Sequence, residues 1–168
     1  MDVKNLNSGK RTIPSKEVLI SISNSLDKNN KMLALFLLYS GCKFNEAISI
    51  LLKDIEKNND SINVTIGNPP RKVALPEEFG NELLKYLIHD VGVLNAATIF
   101  FTDKNISQKS KSDIFRKDLS RVSLNLIGKP IGSHIFRKRY YIDMVESGKS
   151  VKEIKEKMGL SDIRKVGV

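Results

Sequence analysis

The stretch Ser133-His134-Ile135-Phe136-Arg137-Lys138-Arg139-Tyr140-Tyr141 places a histidine and an arginine three positions apart, directly after a loop. The serine predicts a helix N-cap, because its side-chain oxygen can accept a first-turn N–H. In a helix that begins here, His134 and Arg137 lie one turn apart on the same face. Two donors at the positive end of a helix are a favourable arrangement for a phosphate. The alternative is a cap followed by a solvated basic run.

The composition indicates one globular domain with a basic surface. Of the 168 residues, 40% are hydrophobic and 28% are charged, enough to form one core. Lys and Arg outnumber Asp and Glu by 28 to 19, which gives a net charge of +9. This excess indicates a polyanionic partner, most often nucleic acid. The alternative explanation is an AT-rich or thermophilic genome, since such genomes encode proteins that are rich in lysine.

Several classes of protein are excluded by what the sequence lacks. Cys42 is the only cysteine, so neither an internal disulfide nor a cysteine-rich zinc site can form. A single thiol fits a reducing, intracellular compartment. The longest apolar run, residues 32–39, is shorter than the roughly 20 residues of a membrane span, and residues 1–12 lack the apolar core of a signal peptide. We therefore expect a cytoplasmic protein without a membrane segment.

The apolar periodicity predicts a mainly α-helical chain with one small antiparallel β-sheet, an α+β fold. Residues 1–12 are expected to form a flexible basic linker and residues 13–168 one DNA-binding domain. Helices are predicted over residues 13–26, 31–40, 44–52, 76–87, 113–127, 134–146 and 150–159, and another is expected to begin at Ser161-Asp162. The short helix over residues 150–159 opens with a capping-box pair, Ser150 and Glu153.

The sheet is predicted from a change of period after residue 60. Ser61–Ile66 alternates polar and apolar residues, as a half-buried strand does, and Arg71–Leu75 forms a second strand. The intervening Gly67-Asn68-Pro69-Pro70 has the composition of a turn. Thr98–Phe101 is a short apolar segment that could add a third strand.

Four separated pieces of the sequence resemble one family in the same order. Ser40-Gly41-Cys42-Lys43-Phe44-Asn45-Glu46 resembles the T-G-x-R-x-x-E motif of the tyrosine recombinases, the phage-integrase family. A β-hairpin with a lysine follows it. His134-Ile135-Phe136-Arg137 resembles the family's H-x-x-R box, and Met158-Gly159-Leu160-Ser161 resembles its L-G-H-S motif. The resemblance runs from Pro14 to the end and corresponds to the catalytic domain alone.

This resemblance implies a site-specific DNA recombinase or integrase of viral or other mobile-element origin. In the family a tyrosine attacks a DNA phosphate, which leaves a 3′-phosphotyrosyl link and a free 5′-hydroxyl, with no metal and no cofactor. The implied partners are double-stranded DNA and other recombinase protomers, which form a tetramer on DNA in the intact parent.

The family's site residues carry over to matching positions. Arg137 matches the second phosphate-binding arginine, and His134 matches the histidine that supports the phosphate and handles the nucleophile's proton. Lys43 stands where the first motif has an arginine. Lys72 is the expected hairpin lysine, the general acid, with Arg71 as the alternative. The expected DNA contacts are Arg71, Lys109, Lys111, Lys138 and Arg139.

The sequence departs from the family pattern in three places. Lys43 keeps the charge of an arginine but loses its two-pronged fork, which should weaken transition-state stabilisation. Leu160 replaces a histidine or tryptophan and cannot donate a hydrogen bond. The nucleophilic tyrosine is expected near position 169, and the sequence ends at Val168. Either the chain was cut before it, or the protein is a non-cleaving relative, or Tyr140 or Tyr141 takes its place.

The expected function is therefore a recombinase catalytic domain whose activity in this chain is reduced or absent. The main alternative is a non-catalytic DNA-binding or regulatory protein with a degenerate recombinase fold. An enzyme like the type IB topoisomerases shares the site chemistry, and a plain helix-turn-helix regulator fits the charge but leaves the hairpin unexplained. We expect Lys43, Lys72, His134 and Arg137 to converge on one basic hollow.

Overall fold

The computed structural model describes residues 12–91 and 98–167, which form a mainly helical fold with one small sheet. The α-helices are, in chain order, α1 (Lys16–Asn24), α2 (Lys28–Ser40), α3 (Phe44–Ala47), α4 (Glu77–Tyr86), α5 (Gln108–Ile127), α6 (His134–Glu146) and α7 (Val151–Met158). The strands are β1 (Ile55–Lys57), β2 (Ile62–Ile66) and β3 (Arg71–Leu75). Shorter helical turns occupy Leu52–Asp54, Leu87–Val91 and Ile163–Val166. The predicted fold class is confirmed. The linker predicted at residues 1–12 lies, apart from Thr12, outside the described residues.

Helix α2 is the centre of the core. Every residue from Met32 to Leu38 is buried, so the helix is apolar all round and needs neighbours on each side. Helices α1, α4, α5 and α6 and strand β3 pack against it. Gly41 ends α2 in the left-handed conformation, with φ +66°. The chain therefore leaves the core helix abruptly, directly before the first motif.

The sheet is antiparallel with the strand order β1-β2-β3. Val64 in β2 pairs with Val73 in β3, and β3 covers the predicted range, Arg71–Leu75. The third strand is Ile55–Lys57, so the prediction that Thr98–Phe101 joins this sheet is wrong: Thr98 makes only an isolated bridge to Leu51. Residues 99–101 are all buried, whereas a half-exposed strand would turn every second side chain to solvent. These residues therefore fill the core instead of extending the sheet.

The two largest errors in the predicted helix boundaries arise because caps and tertiary contacts outweigh local periodicity. The helix predicted over residues 44–52 already ends at Ala47, and the chain turns so that the carbonyl of Ile50 accepts a bond from the N–H of Ile99 at 3.0 Å. Helix α5 begins at Gln108, before its predicted start at residue 113, because the side chain of Ser107 caps the N–H of Ser110 at 3.1 Å.

Helix α6 has the predicted bounds but not the predicted cap. Ser133 itself has helical dihedral angles (φ −58°, ψ −32°), and its side chain makes no capping bond. The backbone instead begins the helix with the N–H of Ile135 donating to the carbonyl of Gly132 at 3.2 Å. An N-cap residue normally has non-helical dihedral angles, which let its side chain reach the free N–H groups of the first turn. Ser133 has helical angles, so its side chain does not reach them.

Helix α7 closes a smaller cluster of buried apolar residues against α6. Its members are Met144, Ile154, Met158 and Val166. The predicted capping box is confirmed, since the N–H of Glu153 donates to the Ser150 hydroxyl at 3.2 Å and the N–H of Ser150 donates to Glu153 at 2.9 Å. Together these contacts place the last turn of α7 beside Arg137. Within residues 12–91 and 98–167, no helix has both the length and the apolarity that crossing a membrane requires.

Candidate functional site

Arg137 lies where three segments distant in sequence meet. Its Nη1 donates to the carbonyl oxygen of Gly41 at 2.6 Å, and its Nη2 donates to the carbonyl oxygen of Met158 at 3.2 Å. The neighbouring Phe136 is fully buried and anchors this turn of α6 in the core. Burial lowers the pKa of Arg137 below its ordinary value, but a guanidinium remains charged at neutral pH. The side chain is therefore a fixed, half-buried cation.

A second arginine lies in the same region. Arg71, the first residue of β3, donates through Nη1 and Nη2 to the two carboxylate oxygens of Glu46, at 3.0 and 2.9 Å. Its Nε donates to the carbonyl oxygen of Lys157 at 3.0 Å. We call this region, formed by residues 41–46, Arg71, Arg137 and residues 157–159, the arginine corner.

Glu46 is the only carboxylate of the arginine corner. Burial alone would raise its pKa, but hydrogen bonds from Arg71 and from the backbone N–H of Lys43 outweigh burial and hold the pKa below its usual value. The charge of Arg137 acts on Glu46 in the same direction. Glu46 is therefore ionised at neutral pH, and the corner carries the cations of Lys43, Arg71, Arg137 and Lys157 against one negative charge.

Lys43 stands at the N-terminus of α3, two residues after the glycine that accepts the bond from Arg137. Its backbone N–H donates to Glu46 at 2.8 Å, while its side chain is exposed. The structure thus brings Lys43 and Arg137, which are far apart in the chain, to the same loop.

His134 is the first residue of α6 and is exposed at its N-terminal end, one turn before Arg137. Its ring folds back over Gly132, where an added Cβ atom would come within 2.8 Å of Nδ1. A side chain on residue 132 would therefore displace the imidazole.

Lys72 points away from the arginine corner. Its Nζ pairs with Glu56 on β1 at 3.0 Å, and both side chains are more than half exposed. Lys72 lies on the solvent face of the sheet, because Arg71, Val73 and Leu75 alternate with it on the opposite face. Of the two hairpin residues considered, the structure brings Arg71 to Arg137 and leaves Lys72 on the other side of the strand.

The other predicted DNA contacts are spread over the surface. Lys109 and Lys111 lie in the first turn of α5, the former exposed and the latter half-buried. The ammonium of Lys138 lies near Gly167. Arg139 has a side chain only 12% exposed, and it is engaged with Asp143 at 2.8 Å and Glu146 at 3.4 Å on its own helix.

The tyrosines and the cysteine near the corner are packing residues. The ring of Tyr140 lies directly against Gly41, and burial raises its pKa above the ordinary value. Tyr140 and Tyr141 both pack on the small cluster between α6 and α7. Burial also raises the pKa of the Cys42 thiol to about 12, so it is not a nucleophile at neutral pH.

Sequence reasoning missed that Arg71 bridges the hairpin to α7. The signal was present in the strand parity, because Arg71, Val73 and Leu75 occupy alternate positions and must share a face. A charged residue on the inward face of a strand needs a partner, and Glu46 was the unassigned acid of the first motif. Combining the two observations would have suggested the pair.

The chain is similar to known proteins in sequence and in fold. The sequence model of the Phage integrase family matches residues 15–168. Among solved structures, XerA recombinase is similar with a TM-score of 0.74 and 19% identity, over 96% of this chain and 58% of that one. XerH site-specific recombinase bound to its difH substrate, in a pre-cleavage complex, gives 0.72 and 19%, over 94% and 49%.

A third structure, the Tn1549 transposon integrase in complex with circular intermediate DNA, gives a TM-score of 0.73 and 16% identity, over 95% of this chain and 62% of that one. The chain thus spans between 49% and 62% of the length of these structures. No curated protein sequence matches it. The family match extends over nearly the whole chain, and the similar structures are recombinases and an integrase. The chain therefore belongs to the phage integrase family and has the fold of a tyrosine-recombinase catalytic domain.

Proposed function

We propose that this chain is the catalytic domain of a site-specific DNA recombinase and that the arginine corner binds a backbone phosphate of duplex DNA. The observation that carries the proposal is Arg137, a half-buried guanidinium held by the carbonyls of Gly41 and Met158, with the exposed residue Lys43 two positions after Gly41. Membership of the phage integrase family supports the recombination chemistry. Two structures of similar fold were solved with DNA bound.

Arg137 supplies the preoriented cation. Two of its N–H groups are used by carbonyl oxygens, which fix the plane of the guanidinium. A guanidinium has further N–H groups, and these suit the non-bridging oxygens of a phosphate. A cation that is already oriented stabilises the additional charge of a pentacoordinate transition state without reorganising.

Lys43 and His134 complete the phosphate site in this proposal. The ammonium of Lys43 adds a second positive charge but only as a point charge, which predicts weaker stabilisation than an arginine would give. His134 lies at the positive end of α6 and is proposed to take the proton of the attacking tyrosine. That nucleophile is proposed to lie near position 169, because Tyr140 and Tyr141 pack on the cluster between α6 and α7.

Lys72 is proposed as the general acid. In the reaction the tyrosine oxygen forms a bond to phosphorus, the bond from phosphorus to the 5′-oxygen breaks, and a proton must reach that oxygen. Among the described residues, the ammonium of Lys72 pairs with Glu56, and both side chains are more than half exposed. Exposed pairs contribute about 0–1 kcal/mol, so DNA would displace Glu56 from this lysine at small cost. The proposed role also requires Lys72 to turn from the solvent face of β3 towards the phosphate.

We also propose that the chain acts with other protomers on DNA, in the cytoplasm. The net charge of +9 supports a polyanionic ligand. A single thiol, that of Cys42, fits a reducing compartment.

Binding of the chain to duplex DNA across a salt series tests this function. We expect the logarithm of the affinity to fall linearly with the logarithm of the salt concentration, with a slope of about −0.9 for each phosphate neutralised. Arg137→Ala should weaken binding and reduce the slope, while Arg164→Ala should not, since the side chain of Arg164 is 88% exposed and pairs with Asp162. Affinity that does not change with salt would refute the proposal.

One observation favours a second function, a DNA-binding protein that does not cleave. Leu160, at the position of a hydrogen-bond donor in the family motif, packs on the apolar cluster between α6 and α7. The intact parent protein and a nicked suicide duplex distinguish the two functions. A covalent protein–DNA adduct would support the recombinase, and salt-dependent binding without an adduct would support the alternative.

A further inference from the structure

Arg71 was expected to contact DNA, but its guanidinium is already occupied. Three of its N–H bonds are directed at Glu46 and at the carbonyl of Lys157, and the side chain is only 11% exposed. Backbone encloses it as well, because a Cβ atom on Gly159 would lie 2.8 Å from its Nη1. Little of Arg71 therefore remains for a phosphate.

Glu46 has two guanidinium groups within electrostatic reach. Its oxygens bond Arg71, and its charge also acts on Arg137, whose pKa it raises against the lowering by burial. A half-buried carboxylate without a partner is costly and takes the nearest available donor. Whichever guanidinium Glu46 pairs with loses most of its positive potential.

We propose that Arg71 is a positioning residue of the phosphate site: by holding both oxygens of Glu46, it prevents this carboxylate from pairing with Arg137. Arg71 thereby leaves the charge of Arg137 directed at the ligand, and it ties the hairpin to the last turn of α7 through Lys157. The inference rests on the proposed function for its DNA measurements.

A double-mutant cycle separates this role from direct DNA contact. Arg71→Ala should weaken duplex-DNA binding on the order of tenfold, because Glu46 then neutralises Arg137. Glu46→Gln in the same chain removes that negative charge, so the double variant should recover most of the affinity and most of the salt slope. If Arg71 contacted phosphate or merely held the fold, the second substitution would restore nothing.

The chain offers a matched control pair. Arg164 and Asp162 form an exposed ion pair at 2.7 Å outside the arginine corner. Arg164→Ala, alone and with Asp162→Asn, makes the same charge changes and should shift DNA affinity less than twofold. Thermal unfolding of each variant reports whether the fold is retained. If Arg71→Ala does not fold, Arg71→Lys takes its place, since a lysine holds one Glu46 oxygen and should give a smaller, likewise reversible loss.

These measurements test the role of Arg71 and the proposed DNA-binding function separately. Salt-dependent binding by the original chain with no recovery in the double variant would overturn the inference and leave the function standing. If the original chain does not bind DNA, the proposed function fails, and a crystal structure of the Arg71→Ala variant decides the inference. A Glu46 carboxylate within hydrogen-bond distance of Arg137 would support it, and a carboxylate turned to solvent would overturn it.

Discussion

Arg137 on α6 donates a hydrogen bond of 2.6 Å to the carbonyl oxygen of Gly41, a residue 96 positions earlier in the chain. Gly41 has a φ of +66°, and the ring of Tyr140, one turn after Arg137, lies against its Cα. Two residues of α6 therefore pack on the same glycine. The end of the core helix and the proposed phosphate ligand are positioned by one contact.

Gly41→Ala should destabilise the fold strongly. The left-handed conformation costs an alanine about 1–2 kcal/mol, and the added Cβ overlaps the Tyr140 ring, which adds about 1–3 kcal/mol. Gly148→Ala is the matched control, because Gly148 has a φ of +76° and no atom of the described residues lies within 4 Å of its added Cβ. Urea unfolding of both variants measures the difference. Equal losses would show that the Tyr140 contact contributes nothing.

Arg137→Lys should weaken DNA binding by about tenfold and lower the free energy of unfolding by about 1–3 kcal/mol. A single ammonium cannot reproduce the fork that reaches both Gly41 and Met158, so a carbonyl loses its donor. Arg164→Lys is the control, since that side chain is exposed. Binding titrations and chemical unfolding measure the two effects. An unchanged affinity would contradict the assignment of Arg137 as a phosphate ligand.

Lys43→Arg should strengthen DNA binding by about fivefold, because a bidentate fork bonds a phosphate more strongly than an ammonium does. The side chain is exposed, so the larger group fits without repacking. Lys85→Arg on α4, also exposed, controls for the general effect of arginine. Affinities measured at one fixed salt concentration compare the three proteins. A gain at residue 85 equal to that at residue 43 would remove Lys43 from the site.

Asp118 predicts a pH-dependent contribution to stability. Burial alone would raise its pKa, but bonds from Asn30, from the N–H of Asp27 and from Arg121 hold the pKa below its usual value. A carboxyl with a lowered folded pKa stabilises the fold above its unfolded pKa of about 3.9, and the contribution is lost as pH falls through the folded pKa. Asp118→Asn should therefore cost about 1–3 kcal/mol at pH 7 and progressively less below pH 3.9.

Urea unfolding of this variant at pH 7 and at pH 3 measures the pH dependence. Asp113→Asn is the control, since Asp113 forms an exposed pair with Arg116 on the same helix. It should change the free energy of unfolding by less than about 1 kcal/mol at either pH. A constant cost of Asp118→Asn across this range would contradict the role of its charge.

Cys42 should resist alkylation in the folded protein. Its side chain is 1% exposed and burial raises the pKa of the thiol to about 12, so almost no thiolate is present at pH 8. We expect iodoacetamide to label Cys42 only after denaturation. Mass spectrometry measures the fraction of labelled protein. Labelling of the folded chain at the rate of a free thiol would show that the loop after α2 opens.

The sequence alone determined the fold class, the hairpin and the bounds of α6, because these depend on local periodicity and turn residues. β3 was predicted residue for residue, since the turn residues at positions 67–70 return the chain to the sheet at Arg71. The early end of α3, the strand β1 and the missing cap at Ser133 could not be predicted. At α3 a contact between distant residues, that of Ile50 with Ile99, outweighs the local preference, and β1 forms only through its pairing with β2. At Ser133 the helical dihedral angles leave the side chain without a capping bond.

Only the tertiary structure decided which cations meet. Neighbours in a strand point to opposite faces, so Arg71 joins Glu46 and Arg137 while Lys72 faces solvent with Glu56. The sequence motifs give the residue types, but the partner of each charged side chain depends on how α2, β3, α6 and α7 pack. The sequence therefore determined which charged residue types the chain carries and in which motifs, and packing decided that Arg71, rather than Lys72, pairs with Glu46 near Arg137.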